Sequence, residues 1–94
     1  MIKSFKCKDT EKLFNDLEVG KFRSISKPAR LKLELLNAVI SLNSLRVPPG
    51  NRLEQMKGDR AGQFSIRINN QWRLCFRWKD GDAVDVEIVD YHKG

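Results

Sequence analysis

Hydrophobic residues follow a helical spacing in the middle of the chain. Within residues 26–45 they recur every three or four positions, and the set that shares one helical face is Leu31, Leu35, Ala38, Leu42 and Leu45. This spacing predicts a long amphipathic helix that packs on a sheet, with Ser26 as its cap and Pro28 in its first turn. A second stripe beside it consists of Leu33, Leu36 and Ile40. We expect this second stripe either to pack against the first helix or to be left exposed as a contact surface for a protein partner.

Two shorter elements are predicted before this helix. The segment "MIKSF", residues 1–5, is typical of a short opening strand. Residues 9–20 predict a short helix, because Asp9 is a suitable cap, leucine and phenylalanine side chains share one side, and Gly20 is a common stop.

From residue 63 the hydrophobic period changes to two. Alternating runs cover residues 64–68, 72–78 and 84–88, and the turn-forming segments "NNQ" and "KDGDA" separate them. Such runs predict three antiparallel strands joined by hairpins. The predicted order is therefore β-α-α-β-β-β. This is a single α+β domain over residues 1–94, with two N-terminal helices packed on one face of a small antiparallel sheet.

Residues 46–62, between the long helix and the strands, are predicted to be a loop. Turn-forming residues mark both ends, at Pro48-Pro49-Gly50 and at Gly58-Asp59, and several basic side chains lie between them. A solvated loop is the simpler interpretation. Long charged loops are also where binding groups tend to lie.

The alternation also predicts which residues face each other across the hairpins. The simplest register of the first hairpin puts Ile68 opposite Trp72, and therefore Arg67 opposite Arg73 on the face away from the helices. Two opposed arginines repel each other unless an anion joins them. That anion is either an acidic side chain or a phosphate. In the second hairpin the predicted pairs are Trp78–Val84, Arg77–Asp85, Cys75–Glu87 and Arg73–Val89.

The last strand ends in a set of proton-carrying side chains. The predicted register places Asp90, Tyr91 and His92 beside Arg73, and the loop that holds Lys57 reaches the same rim. A carboxylate, a phenol and an imidazole next to fixed cations suit cleavage of an RNA phosphodiester by its own 2′-hydroxyl. This chemistry requires no metal. The simpler alternative is a solvated, polar chain end.

Composition narrows the kind of partner. The chain has 94 residues, with 18 Lys+Arg against 12 Asp+Glu and a net charge of +6, which favours a polyanionic partner such as RNA or DNA. No stretch approaches the roughly 20 apolar residues of a membrane span, and the first residues lack the apolar region of a signal peptide. Cys7 and Cys75 have no metal-ligand spacing, so we expect free thiols in a reducing, cytoplasmic environment.

Four segments resemble one protein family over nearly the whole chain. They are "MIKSFK", "PGNRLEQMKGDRAGQFSI", "WRLCF" and "VDYH". With them the chain is similar to HigB-type toxins (the "plasmid maintenance system killer" family) of the RelE/ParE superfamily. The resemblance implies a RelE-like fold and a bacterial toxin that enters the ribosomal A site and cleaves translated mRNA without a metal or other cofactor. It also implies a HigA-like helix-turn-helix antitoxin, with operator DNA bound only through the toxin–antitoxin complex.

The resemblance assigns roles to particular residues. It implies that Lys57 and Arg73 bind the phosphate. It also implies that Asp90, Tyr91 and His92 transfer protons and position the RNA. The other basic candidates for RNA contact are Arg52, Arg60 and Arg67. One position departs from the family pattern, because cleaving members read "LHPLKG" where this chain reads "LEQMKG". Glu54 thus replaces a histidine in the catalytic set. A carboxylate of ordinary pKa matches neutral pH less well than an imidazole, which predicts weaker cleavage.

Two further functions remain open on the sequence. A protein of the same fold that binds RNA or the ribosome without cutting is compatible with the change at Glu54. The gyrase-poisoning branch of the superfamily fits less well, because its members lack the D-Y-H ending. For the antitoxin surface the candidates are the stripe of Leu33, Leu36 and Ile40, and the basic residues Lys21, Arg23, Lys27 and Arg30.

Overall fold

The computed structural model describes residues 1–91 and contains two α-helices and four strands. The helices are α1 (Lys8–Phe14) and α2 (Ser26–Ala38), and short 3-10 turns follow each of them. The strands are β1 (Glu54–Gln55), β2 (Phe64–Arg67), β3 (Trp72–Lys79) and β4 (Asp82–Asp90). All neighbouring strands are antiparallel, in the order β1-β2-β3-β4. The predicted α+β class is confirmed.

The amino-terminal segment lies along the outer edge of β4. Two parallel bridges, Ile2–Ala83 and Phe5–Val86, replace the continuous strand predicted for residues 1–5. The Lys3 amide donates to the Ala83 carbonyl over 2.8 Å, and the terminal ammonium lies 3.2 Å from Asp82. The segment therefore covers an edge whose backbone groups would otherwise be unpaired.

Both helices are shorter than predicted. The first ends at Phe14 instead of residue 20, and α2 ends at Ala38 because Val39 is extended, with ψ 146°. The next residue is Ile40, and two consecutive β-branched side chains disfavour a further helical turn. Ser26 is the first helical residue, and no side chain caps either helix.

The shorter α2 buries a different face from the one predicted. Ala29, Leu33 and Leu36 are fully buried against the sheet, whereas Leu31 is 59% exposed. The predicted stripe was wrong, because Leu31 and Ala38 are exposed within the helix and its last members, Leu42 and Leu45, lie beyond the helix. Leu33 and Leu36 belong to the core and are not available as an antitoxin surface, whereas the third residue of that stripe, Ile40, is 86% exposed.

The register of the first hairpin is confirmed. Arg67 faces Arg73, and the Ile68 amide donates to the Trp72 carbonyl over 2.9 Å. The second hairpin also pairs Arg73 with Val89 as predicted.

Near its turn the second hairpin departs from the prediction. A β-bulge between Cys75 and Arg77 shifts the pairing by one residue, so Trp78 faces Ala83 instead of Val84. The extra residue is Asp85, in the left-handed conformation with φ 52°. Its carboxylate still lies 3.9 Å from Arg77 Nε, so the predicted ion pair forms without the predicted register.

The predicted loop at 46–62 is partly ordered and contacts the sheet. It supplies β1, and the carbonyl of Arg52 accepts a hydrogen bond from Arg73 Nη2 over 2.7 Å. Below it, Ser65, Arg73 and Cys75 are buried on the face opposite the helices. Burial raises the pKa of the Cys75 thiol to about 11, so this thiol is protonated at neutral pH. Both faces of the sheet are thus at least partly covered.

Gly62 ends this loop in a conformation that favours glycine. Its φ is 91°, and an added Cβ would lie 2.6 Å from Arg77 Nη1. The arginine side chain can move, so the backbone conformation accounts for most of the penalty. We expect Gly62→Ala to lower the free energy of unfolding by about 1 kcal/mol or more. Gly20→Ala, which meets no atom within 4 Å, is the matched control, and urea unfolding measures both. Equal stability of the two variants would contradict this view of the loop.

The described residues contain no helix long and apolar enough to cross a membrane. Cys7 and Cys75 are both free thiols, as predicted.

Candidate functional site

A cleft of about 580 Å³ opens where the loop meets the end of β4. Its lining consists of Glu54, Gln55, Met56, Lys57, Asp59, Arg60 and Tyr91. Most of these residues come from the segment predicted as a loop, and Tyr91 comes from the far end of the chain. The antiparallel order of the strands brings the two parts together, because the end of β4 lies beside the start of β3.

Arg73 is the buried cation next to this cleft and is only 6% exposed. Its Nε donates to Ser65 Oγ over 2.8 Å, and its Nη2 donates to the Arg52 carbonyl over 2.7 Å. The guanidinium is therefore fixed along one edge by two neutral acceptors. A cation buried in this way keeps part of its charge uncompensated, which favours a nearby anion.

The second amino group of Arg73, Nη1, makes no hydrogen bond to the described residues 1–91. The contacts of this guanidinium within that part of the chain are made by Nε and Nη2.

Tyr91 covers the face of this guanidinium. The Arg73 Cζ lies 5.5 Å from the centre of the Tyr91 ring, within the range of a cation–π contact. The backbone amide of Tyr91 donates to the Gln71 carbonyl over 2.6 Å, which fixes the main chain of Tyr91 at the end of β4. Asp90 faces Trp72 in the sheet and accepts a hydrogen bond from Gln71 Nε2 over 3.1 Å. The structure thus brings Tyr91 to Arg73, with Asp90 beside it in the chain.

Glu54 is the acidic side chain that approaches Arg73. Its Oε1 lies 3.6 Å from Arg73 Nη2, and half of its side chain is exposed. Glu54 and Tyr91 line the cleft, whereas Arg73, which contacts both of them, is not part of its lining. The opposed arginines Arg67 and Arg73 suggested a nearby anion, either an acidic side chain or a phosphate. The protein itself supplies an acidic side chain, Glu54. A bound phosphate would compete with this carboxylate for the same guanidinium.

Lys57 is the exposed cation of the cleft. It immediately precedes the turn Gly58–Arg60, and within the described residues its ammonium has no ion pair. An unpaired ammonium at the cleft is available to an anion from outside.

Arg60 is held by another acid. Its Nη1 donates to Glu87 Oε1 over 2.8 Å and to Gln63 Oε1 over 3.1 Å. The Glu87 hydrogen bond raises the pKa of Arg60 above its already high ordinary value. Glu87 was not among the residues singled out from the sequence. The predicted register put it opposite Cys75, but nothing in the pattern placed Arg60 over the same part of the sheet.

Two of the predicted RNA contacts do not line the cleft. Arg52 has an exposed side chain, and only its carbonyl contacts Arg73. Arg67 Nη2 donates to Asn70 Oδ1 in the β2–β3 turn. His92 lies outside the described residues. The roles of all these residues stay predictions.

Comparisons with known proteins agree with the resemblance of the sequence. A family model described as the RelE-like toxin of the type II toxin–antitoxin system HigB matches residues 3–92. Toxin HigB-1 of Vibrio cholerae serotype O1 is 40% identical over 95 residues, which covers 99% of each chain. Endoribonuclease HigB of Proteus vulgaris is 42% identical over 41 residues, which covers 44% of this chain and 45% of that protein.

Proposed function

The chain belongs to the HigB-like family of RelE-like toxins from type II toxin–antitoxin systems, and from this premise we propose that it is an endoribonuclease that cleaves mRNA on the translating ribosome. The partial match to a relative named as an endoribonuclease supports the activity. The observation that carries the proposal is the environment of Arg73, a buried guanidinium fixed along one edge, with the Tyr91 ring over it and with Nη1 unbonded to any described residue.

This guanidinium suits a phosphate that becomes more negative during the reaction. Two backbone and side-chain acceptors hold it before any substrate arrives, so little reorganisation accompanies binding. A phosphate oxygen replaces the Glu54 carboxylate at Nη2 and reaches Nη1 beside it. Lys57, in the lining of the same cleft, contacts the same or the neighbouring phosphate. The protein itself therefore supplies the cations, and we propose that the reaction is independent of metal ions.

The proposed reaction is an internal attack within the RNA. The 2′-oxygen forms a bond to phosphorus, and the bond from phosphorus to the 5′-oxygen of the next nucleotide breaks. One protein group accepts the 2′-hydroxyl proton and another donates a proton to the leaving 5′-oxygen. Glu54, Tyr91, Asp90 and His92 are the candidates for these roles. The products carry a 2′,3′-cyclic phosphate and a 5′-hydroxyl.

Membership of the family implies an antitoxin partner. We propose that it is a HigA-like helix-turn-helix protein, through which operator DNA is bound. On the toxin, a candidate surface consists of the basic residues in the 3-10 turn before α2 and in the first turns of α2, which are Lys21, Arg23, Lys27 and Arg30. Most of these cations already have acidic neighbours, at 3.6 Å for Lys21–Asp9 and 3.7 Å for Arg23–Glu18. Lys27 is exposed and has no ion pair in the described part of the chain.

Cleavage of a defined mRNA tests the proposal. The message is incubated with the protein in the presence or absence of programmed ribosomes, and primer extension locates the breaks. We expect breaks only with ribosomes, inside the translated frame. Replacement of the nucleotide before a break by its 2′-deoxy form should abolish cutting there. Breaks with a 3′-hydroxyl end, or equal cutting of free RNA, would contradict the proposed mechanism.

A non-cleaving inhibitor of the same fold is the second candidate. The contact between Glu54 and Arg73 favours it, because a resident carboxylate weakens the site for phosphate. In that case translation stops in the same assay while the message stays intact.

A further inference from the structure

We propose that Glu87 is a positioning residue for the cleft: by holding Arg60 it fixes the turn that carries Lys57. The inference rests on the proposed function for its effect on RNA cleavage. Its structural part, the control of the turn, is independent of that function.

Arg60 joins the turn to a distant strand. It is the last residue of the turn Gly58–Arg60, whereas Glu87 lies in β4, two strands away from β2. The 2.8 Å contact between Arg60 Nη1 and Glu87 Oε1 is the shortest ion pair among the described residues. Only 16% of the Glu87 side chain and 34% of the Arg60 side chain are exposed, so solvent screens this pair less than the surface pairs.

Beyond the β1–β2 pairing at its base, the turn has few attachments to the sheet. At that base the Met56 amide donates to the Gln63 carbonyl over 2.8 Å, and the hydrogen bonds within the turn are local, from the Arg60 amide to the Lys57 carbonyl and from the Ala61 amide to the Gly58 carbonyl. No residue of the turn is buried. Among the described residues, the Arg60 side chain is the contact that joins the turn itself to β4, through Glu87. Lys57 immediately precedes the turn, so its ammonium follows any movement.

Glu87 also connects the turn to the strand that directly precedes Tyr91. It lies in the same strand as Asp90 and on the same sheet face as Val89, which faces Arg73. One carboxylate thus ties the Lys57 side of the cleft to the strand that carries Tyr91. A second cation also lies near Glu87: Lys6 Nζ is 3.9 Å from Glu87 Oε1. Lys6 is largely exposed and is not part of the turn.

The experiment combines Glu87→Gln with Lys57→Ala. Glutamine keeps the size and one oxygen acceptor but removes the charge that holds Arg60. We expect Glu87→Gln to lower kcat about tenfold, with a smaller change in KM, since a misplaced group costs mainly the chemical step. If Glu87 acts through the turn, Lys57→Ala costs less in the Glu87→Gln background than in the native protein. Fully additive losses would overturn the proposal.

A control variant and a second measurement make the result independent of activity. Asp82→Asn makes the same chemical change in the same strand, at its 3.2 Å ion pair with the terminal ammonium, far from the cleft. Amide hydrogen exchange should become about fivefold faster or more at residues 60, 61 and 63 in Glu87→Gln, because a local opening of the turn exposes these amides. In Asp82→Asn it should not change.

The outcomes separate the two proposals. If the native protein does not cleave RNA, the proposed function fails, and hydrogen exchange alone decides whether Glu87 holds the turn. If the native protein cleaves RNA and Glu87→Gln does so equally well with unchanged exchange, only the positioning proposal fails. Should Glu87→Gln not fold, Arg60→Gln removes the other partner of the pair. It should show the same faster exchange at residues 61 and 63, and native-like exchange there would overturn the proposal.

Discussion

Replacement of Arg73 by lysine is expected to slow RNA cleavage about a hundredfold, the usual cost of losing one fixed donor at a developing anion. A lysine keeps the charge but presents a single ammonium, which cannot bond Ser65 Oγ and the Arg52 carbonyl and still offer a free amino group to phosphate. Single-turnover cleavage on programmed ribosomes measures the rate. In this variant one buried acceptor loses its hydrogen-bond donor. Thermal unfolding should therefore show a free energy of unfolding that is lower by about 1–2 kcal/mol.

Arg77→Lys is the matched control for this variant. It makes the same change in the same strand, at an exposed arginine whose partner is Asp85. We expect native cleavage and nearly native stability from it. If both lysine variants cleave equally well, the buried guanidinium has no special role in the reaction. The proposed phosphate site would then be wrong.

Substitution of Glu54 is expected to separate RNA binding from RNA cleavage. Glu54→Gln removes the carboxylate that lies 3.6 Å from Arg73, so an uncleavable 2′-O-methyl RNA should bind about fivefold more tightly, the upper range for a half-exposed ion pair. The chemical step should become slower, because the amide accepts no proton. Glu54→His should instead cleave about tenfold faster than the native protein, since an imidazole exchanges protons near neutral pH.

Asp59→Asn distinguishes a specific effect of Glu54 from a general change of charge. Asp59 lines the same cleft, and within the described residues it forms no ion pair. Its substitution adds the same net charge without releasing Arg73. Fluorescence anisotropy with the labelled RNA measures the affinities. If Asp59→Asn and Glu54→Gln raise the RNA affinity equally, the overall electrostatic potential of the cleft determines binding and the contact of Glu54 with Arg73 does not.

Local sequence patterns were sufficient for most of the fold. Alternating side chains and turn residues define β2, β3 and β4, and the register of the first hairpin follows from them. The predicted register of the second hairpin placed the end of β4 next to Arg73, and Tyr91 lies there. These features depend on neighbours in sequence or on strand pairing, which the pattern contains.

Other features depend on contacts that no local pattern contains. The burial of Leu45 depends on how the turn Leu42–Arg46, after the end of α2, packs back onto the core. The contact of Glu54 with Arg73 requires the loop to fold back on the sheet. Similarly, Arg60 meets Glu87 across 27 residues, through side-chain lengths and angles that spacing does not encode.

The β-bulge at Asp85 makes this part of the chain sensitive to changes in length. Because successive side chains of a strand point to opposite sides, one extra residue decides which side each later residue occupies. Loss of Asp85 alone would remove the bulge and leave a regular ladder, in which Ala83, Val86 and Ile88 stay on the core side of the sheet. Loss of two residues between positions 80 and 86 would instead reverse the sides and turn either Ala83 or Ile88 away from the core. Gene variants of this family should therefore tolerate a single deletion at the bulge better than a paired one.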